Sequence, residues 1–121
     1  MALTGLFALL AVLQPFTFGL GYFGAADSYE IHEIIGGSVL HGIALLALIA
    51  ALASPDRRQL WPLALGLFVL ATIQIALPAT RDDAAVLAAL HPLLGIALIG
   101  MAFDMHMRAR KLPGTPATAQ V

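Results

Sequence analysis

The chain has 121 residues, 60% of them hydrophobic and 11% charged, with no cysteine and a formal net charge of −1. A soluble domain averages ~45–50% apolar and ~25% charged residues, so this chain holds too few polar side chains to coat one. The charge balance excludes a nucleic-acid surface, and the missing cysteines exclude disulfides, thiolate metal sites, iron–sulfur clusters and c-type haem attachment.

Four uncharged runs divide the chain: Met1–Ala26 (26 residues), Ile34–Pro55 (22), Gln59–Thr80 (22) and Ala84–Phe103 (20). Each reaches the ~20 apolar residues that a membrane-crossing helix needs. The pattern predicts an all-α integral membrane protein. Its architecture is an up-down-up-down four-helix bundle, with spans at about 3–25, 30–54, 60–79 and 84–107 inside a single domain of residues 1–111. Residues 112–121, with Pro113, Gly114 and Pro116, read as a flexible tail. Gly24-Ala25-Ala26 resembles a signal-peptide cleavage site, but Met-Ala-Leu-Thr carries no positive charge and the apolar run exceeds the typical ~7–15 residues. The first run is therefore expected to be a retained helix. Asp27 or Ser28 is placed to cap the second span and Asp82 or Asp83 the fourth, while Pro55 ends the second. Short connections make neighbours antiparallel, which sets spans two and four diagonally across the bundle.

Arg57, Arg58, Arg108, Arg110 and Lys111 fall at one end of such a bundle and only Arg81 at the other. The positive-inside bias predicts that both termini and the loop between spans two and three lie in the cytoplasm. The acidic residues Asp27, Glu30, Glu33, Asp82 and Asp83 collect at the opposite, outer end.

The halves resemble each other. Gln14 precedes His32-Glu-Ile-Ile-Gly36 by 18 residues, and Gln74 precedes His91-Pro-Leu-Leu-Gly95 by 17. Each half reads as a span with a glutamine, an acidic loop and a span opening on His-x-x-x-Gly. This suggests an internally duplicated hairpin about a pseudo-two-fold along the membrane normal.

Gln14, His32-x-x-x-Gly36, Gln74 and Leu90-His91-x-x-x-Gly95 resemble a family of small bacterial four-span membrane proteins of unknown function. The resemblance covers roughly residues 5–110. It implies the four-helix fold and marks the two outer histidines as the family's polar positions, without an established activity. The His-x-x-x-Gly motifs also resemble the haem-ligating helices of b-type cytochromes and succinate-dehydrogenase anchor subunits.

Ionisable groups within a span are costly and face the interior or a cavity. His32 and His91 on facing diagonal helices can supply the two axial ligands of a b-type haem. Gly36 and Gly95, one turn further on, would let the flat macrocycle approach the backbone. Arg81, Tyr29 or helix-terminal N–H groups would meet its propionates. Alternatively both are plain interfacial histidines. His91 sits about two turns into a helix that starts near Asp82, unless Pro92 marks a break. His41 is the rival ligand. At nine residues past His32 it lies half a turn round an ideal helix and ~13.5 Å deeper, so the two cannot face the same centre. If His32 is the ligand, His41 is expected to face a second protomer, another subunit or a second cofactor. His106 reads as a solvated end residue. Gln14 and Gln74 read as interhelical hydrogen-bonders or as supports of a ligating imidazole.

The expected function is a membrane b-type haem protein that carries electrons as a subunit or partner of a larger redox complex, without catalysis of its own. Its partners would be lipid, other membrane subunits or a second protomer, and a quinol or periplasmic carrier. The alternative is a cofactor-free accessory subunit, with Gly19, Gly21, Gly24, Gly37, Gly42 and Gly100 lining helix contacts. A third reading places a metal or proton site at the outer mouth on Glu30, His32, Glu33, Asp82 and Asp83.

Overall fold

Long uncharged runs have few solutions in lipid, because every backbone N–H and C=O must be bonded within the protein. In the computed structural model, which describes residues 2–24 and 28–112, the runs are helices. Helix α1 covers Ala2–Tyr22, α2 Ser28–Glu33, α3 His41–Ala53, α4 Arg57–Ala76, α5 Ala85–Ala88 and α6 Leu90–Lys111. A π-helical segment, Ile34–Leu40, joins α2 to α3, and a 3₁₀ turn, Leu77–Thr80, extends α4. Four spans are long and apolar enough to cross a membrane: Ala2–Tyr22, Tyr29–Ala53, Arg58–Thr80 and Ala85–Lys111. The protein is an all-α, multi-pass four-helix bundle.

The spans form a ring. Each packs against its two neighbours, the fourth closing onto the first, and among the described residues no backbone approaches closely across either diagonal. Spans two and four are thus diagonal, as the short connections require. Phe16, Phe23, Leu93 and Ile96 point outward, each more than 60% exposed, as lipid contact demands.

Local chemistry sets the helix ends. Gly24, at φ +89°, closes α1 in the left-handed conformation that favours glycine, and its N–H reaches the Gly21 carbonyl at 3.3 Å. It is a helix terminator rather than a contact-lining residue. Ser54 turns extended, at ψ 142°, because Pro55 disfavours the helical region for the residue before it. Neither Asp82 nor Asp83 caps the fourth span. The residue before α5 is Ala84, which has no side chain to bond, and Asp82 instead pairs with Arg81 at 3.6 Å. Asp27, the Ser28 side chain, Ala25-Ala26 of the cleavage-like triplet and tail residues 113–121 lie outside the described residues.

The packing is lopsided. The buried apolar side chains are Phe7, Ala8 and Ala11 of α1, Leu40 to Ala51 on span two, Leu60 to Ala71 of α4, and Leu98, Ala102 and Met105 of α6. Most lie in the half of the bundle that ends in Arg58, Arg108 and Arg110, with Leu40, Ala71 and Leu98 near mid-span. Among the described residues, no apolar side chain nearer the acidic end than these is buried. Alanines dominate the filled half and let the helices approach closely. Gly5 and Gly66 make such close contacts, while Gly19, Gly37, Gly42 and Gly100 face open space and line none. Ala64 and Ala102 are wholly buried. Ala102→Leu is expected to lower stability by about 1–3 kcal/mol through overpacking, a steric penalty that lipid does not relieve. Unfolding of the purified protein in detergent measures it.

Candidate functional site

Gln14 and Thr17, His32, Gln74 and His91 bring polar groups together from all four spans. Pro78 lacks an N–H, so the Gln74 carbonyl, four residues earlier, has no helical donor. The His91 ring fills that vacancy: its Nδ1–H donates to the Gln74 carbonyl at 2.9 Å. The Gln74 amide answers by donating from Nε2 to the His91 carbonyl at 2.9 Å. Two reciprocal bonds thus tie α4 to the start of α6.

The fourth span does break. The short helix α5 stops at Ala88, and α6 begins at Leu90. His91 therefore sits in the first turn of its helix rather than two turns in. Pro92 is harmless there, because first-turn N–H groups have no intrahelical partner to lose.

The first hairpin repeats the arrangement. His32 Nδ1 lies 3.1 Å from the Gln14 carbonyl and 3.3 Å from Thr17 Oγ1, and the Thr17 hydroxyl itself donates to the Gln14 carbonyl at 2.9 Å. A carbonyl only accepts, so Nδ1 carries a proton in both histidines, and in the neutral ring Nε2 then keeps its lone pair. The two rings meet across the bundle with centroids 6.2 Å apart and planes at 68°. Phe18 packs edge-on against His32 at 5.6 Å.

The glycines of the two motifs serve the glutamines. A Cβ on Gly36 would lie 2.9 Å from Gln14 Oε1, and one on Gly95 would lie 3.0 Å from Gln74 Nε2. The space that a macrocycle edge was expected to use is taken by an amide of the neighbouring span. The halves differ in one respect. Gln74 Oε1 alone is unpartnered in the second hairpin, whereas both polar atoms of the buried Gln14 amide are unpartnered in the first.

His41 turns inward against α4 rather than outward. Its ring packs on Phe68 of α4 at 4.8 Å, with Nδ1 buried and unbonded. The half-turn separation from His32 assumed a uniform 3.6-residue period, and the intervening π segment Ile34–Leu40 winds more slowly than that. Gly36 and Gly37, adjacent within the segment, weaken its preference for the α spacing. His106 is also more than a solvated end residue: Nδ1 meets Thr4 Oγ1 at 3.1 Å, and the ring fills the space beside Gly5.

Arg81 is exposed at the outer loop beside Asp82, and Tyr29 packs its ring over Gly21. Glu30, Glu33, Asp82 and Asp83 are exposed, and among the described residues no three His, Asp or Glu side chains gather to hold a metal ion. The outer-mouth metal site is therefore not formed. Thr17 escaped the sequence reading. Its signal was faint, a hydroxyl one turn after Gln14 with no counterpart after Gln74, where Leu77 stands.

Comparison with known proteins places this arrangement. The profile of a family of unknown function (DUF6220) matches residues 14–81, more than half of the chain. The chain belongs to that family. The match runs from Gln14 through His32 and Gly36 to Gln74 and Arg81, so it takes in the first hairpin's anchor. No curated protein and no solved structure matches the chain.

Gly95→Ala is expected to push the Gln74 amide off the His91 carbonyl and destabilise the protein by about 1–3 kcal/mol, the range for a buried polar group left unpaired. Gln74→Ala should relieve most of the clash. A double-mutant cycle read by unfolding in detergent checks this, with a coupling above about 0.5 kcal/mol expected.

Proposed function

We propose that this DUF6220 protein is a b-type haem protein of the membrane, with His32 and His91 as the axial ligands and electron transfer as its role. The observation that carries the reading is the histidine pair itself. Both rings have Nδ1–H held by a backbone carbonyl, which leaves Nε2 as the free donor nitrogen, the outer-shell arrangement typical of metal-bound histidine.

The residues fit the group on two further counts. Imidazoles on opposite sides of one metal at ~2 Å, each nitrogen ~1.1 Å from its ring centre, have centres ~6 Å apart; those of His32 and His91 are 6.2 Å apart. Around them, on the acidic side of Leu40, Ala71 and Leu98, no apolar side chain is buried among the described residues, so the tightly packed core lies elsewhere. Two protein ligands suffice because the porphyrin supplies the other four. Bound there, haem supplies one-electron chemistry.

The chain's own residues do the rest. Gln14, Thr17 and Gln74 fix the ring orientation and tautomer of the ligands, and the surrounding apolar helices exclude water. Arg81 and Tyr29, at the same end, are the polar groups available to propionates. The basic residues at the opposite end point to cytoplasmic termini in a bacterial inner membrane. The haem end would then face outward, toward a quinol or a periplasmic carrier, and the near absence of extramembrane mass suits a subunit of a larger redox complex.

Absorption spectra of oxidised and dithionite-reduced protein, purified from cells supplied with haem, test the reading. Expected are a sharp low-spin Soret and a reduced α band, both lost in His32→Ala and in His91→Ala and retained in His41→Ala. Wild-type protein without those bands would overturn the haem reading and favour a cofactor-free accessory subunit.

A further inference from the structure

The two histidine anchors are related by the repeat but are not equally strong. His91 Nδ1–H makes one short bond, 2.9 Å, to a carbonyl that Pro78 has stripped of its helical donor. The peptide of His91 is pinned in return by Gln74 Nε2. His32 Nδ1–H is divided between two acceptors at 3.1 and 3.3 Å, and the carbonyl it shares is also taken by the Thr17 hydroxyl. Nothing pins the His32 peptide, since the Gln14 amide that would correspond to Gln74 has no partner. Behind His91 lies the regular helix α6; behind His32 the chain enters the π segment Ile34–Leu40. Such segments are rare and recur at functional sites.

A hydrogen bond to Nδ1–H raises the basicity of Nε2, and outer-shell partners shift metal affinity by ~10–100-fold. We infer that the two axial positions are inequivalent: His91 is the permanent ligand, and His32 is an exchangeable one that yields its position to a small neutral molecule of the carbon monoxide or nitric oxide class. This rests on the haem reading and goes beyond it, because an electron carrier needs no open position. It gives the protein a ligand-binding site on the His32 side. Span two, with its π segment, is the element that would move when His32 leaves.

Three measurements on haem-loaded protein test it. His32→Gly should retain most of its haem in a five-coordinate, high-spin form that added imidazole returns to low spin, whereas His91→Gly should retain roughly tenfold less. Reduced wild-type protein should bind carbon monoxide, read as a shifted Soret band. Thr17→Val, which leaves the Gln14 carbonyl to the histidine, should weaken that binding severalfold while the low-spin spectrum without carbon monoxide persists. Equal haem loss in the two glycine variants, or wild-type protein inert to carbon monoxide, would overturn the inference while leaving a bis-histidine spectrum intact. Wild-type protein with no Soret band would remove the haem reading and this inference together.

Discussion

One absent hydrogen organises the acidic end of this molecule. Pro78 cannot donate to the Gln74 carbonyl, and in a membrane an unpartnered carbonyl has no water to turn to. The His91 imidazole supplies the missing donor at 2.9 Å. That single bond sets which ring nitrogen is protonated, which nitrogen stays free, and how the fourth span meets the third. The Gln74 amide then needs room to reach the His91 carbonyl, and only glycine at 95 leaves it. Glutamine, proline, histidine and glycine, spread over 22 positions, act as one joint.

The rest of the bundle compensates for what the joint leaves open. Association of helices in lipid relies on close packing rather than on expulsion of water. Here that packing lies in the basic half and at mid-span, where alanines at 8, 11, 44, 47, 51, 64, 71 and 102 are buried. The acidic half holds its helices together by polar ties: Gln74 with His91, and Gln14 and Thr17 with His32.

The fold was legible because its signals are additive. Uncharged runs, short loops and charge asymmetry each require the same four-span bundle, and no tertiary detail can reverse them. The repeat of Gln, His and Gly was also legible, since spacing survives in sequence. What spacing could not convey is direction. The glycines were expected to face the bundle centre, yet they face the glutamines of the neighbouring span. The rivalry between His32 and His41 was framed on an unbroken 3.6-residue period, and seven residues of π helix, Ile34–Leu40, change both the phase and the rise between them. A helix boundary at Ala89 likewise resets the count for His91, and in the sequence Pro92 is an ambiguous sign of it.

The departures from symmetry are more informative than the symmetry. A strict duplication would give each histidine one proline-freed carbonyl as acceptor and one answering amide. The second hairpin has both. The first has Thr17 where the second has Leu77, a shared acceptor instead of a single one, and an amide without a partner. A buried polar atom left unpaired is disfavoured by ~1–3 kcal/mol; the first hairpin has two such atoms, Gln14 Oε1 and Nε2, and the second has one, Gln74 Oε1. The π segment lies next to that unpaired amide rather than next to the satisfied one. The departure from regular winding and the weaker histidine anchor thus fall in the same hairpin, the one that Thr17 distinguishes from its repeat.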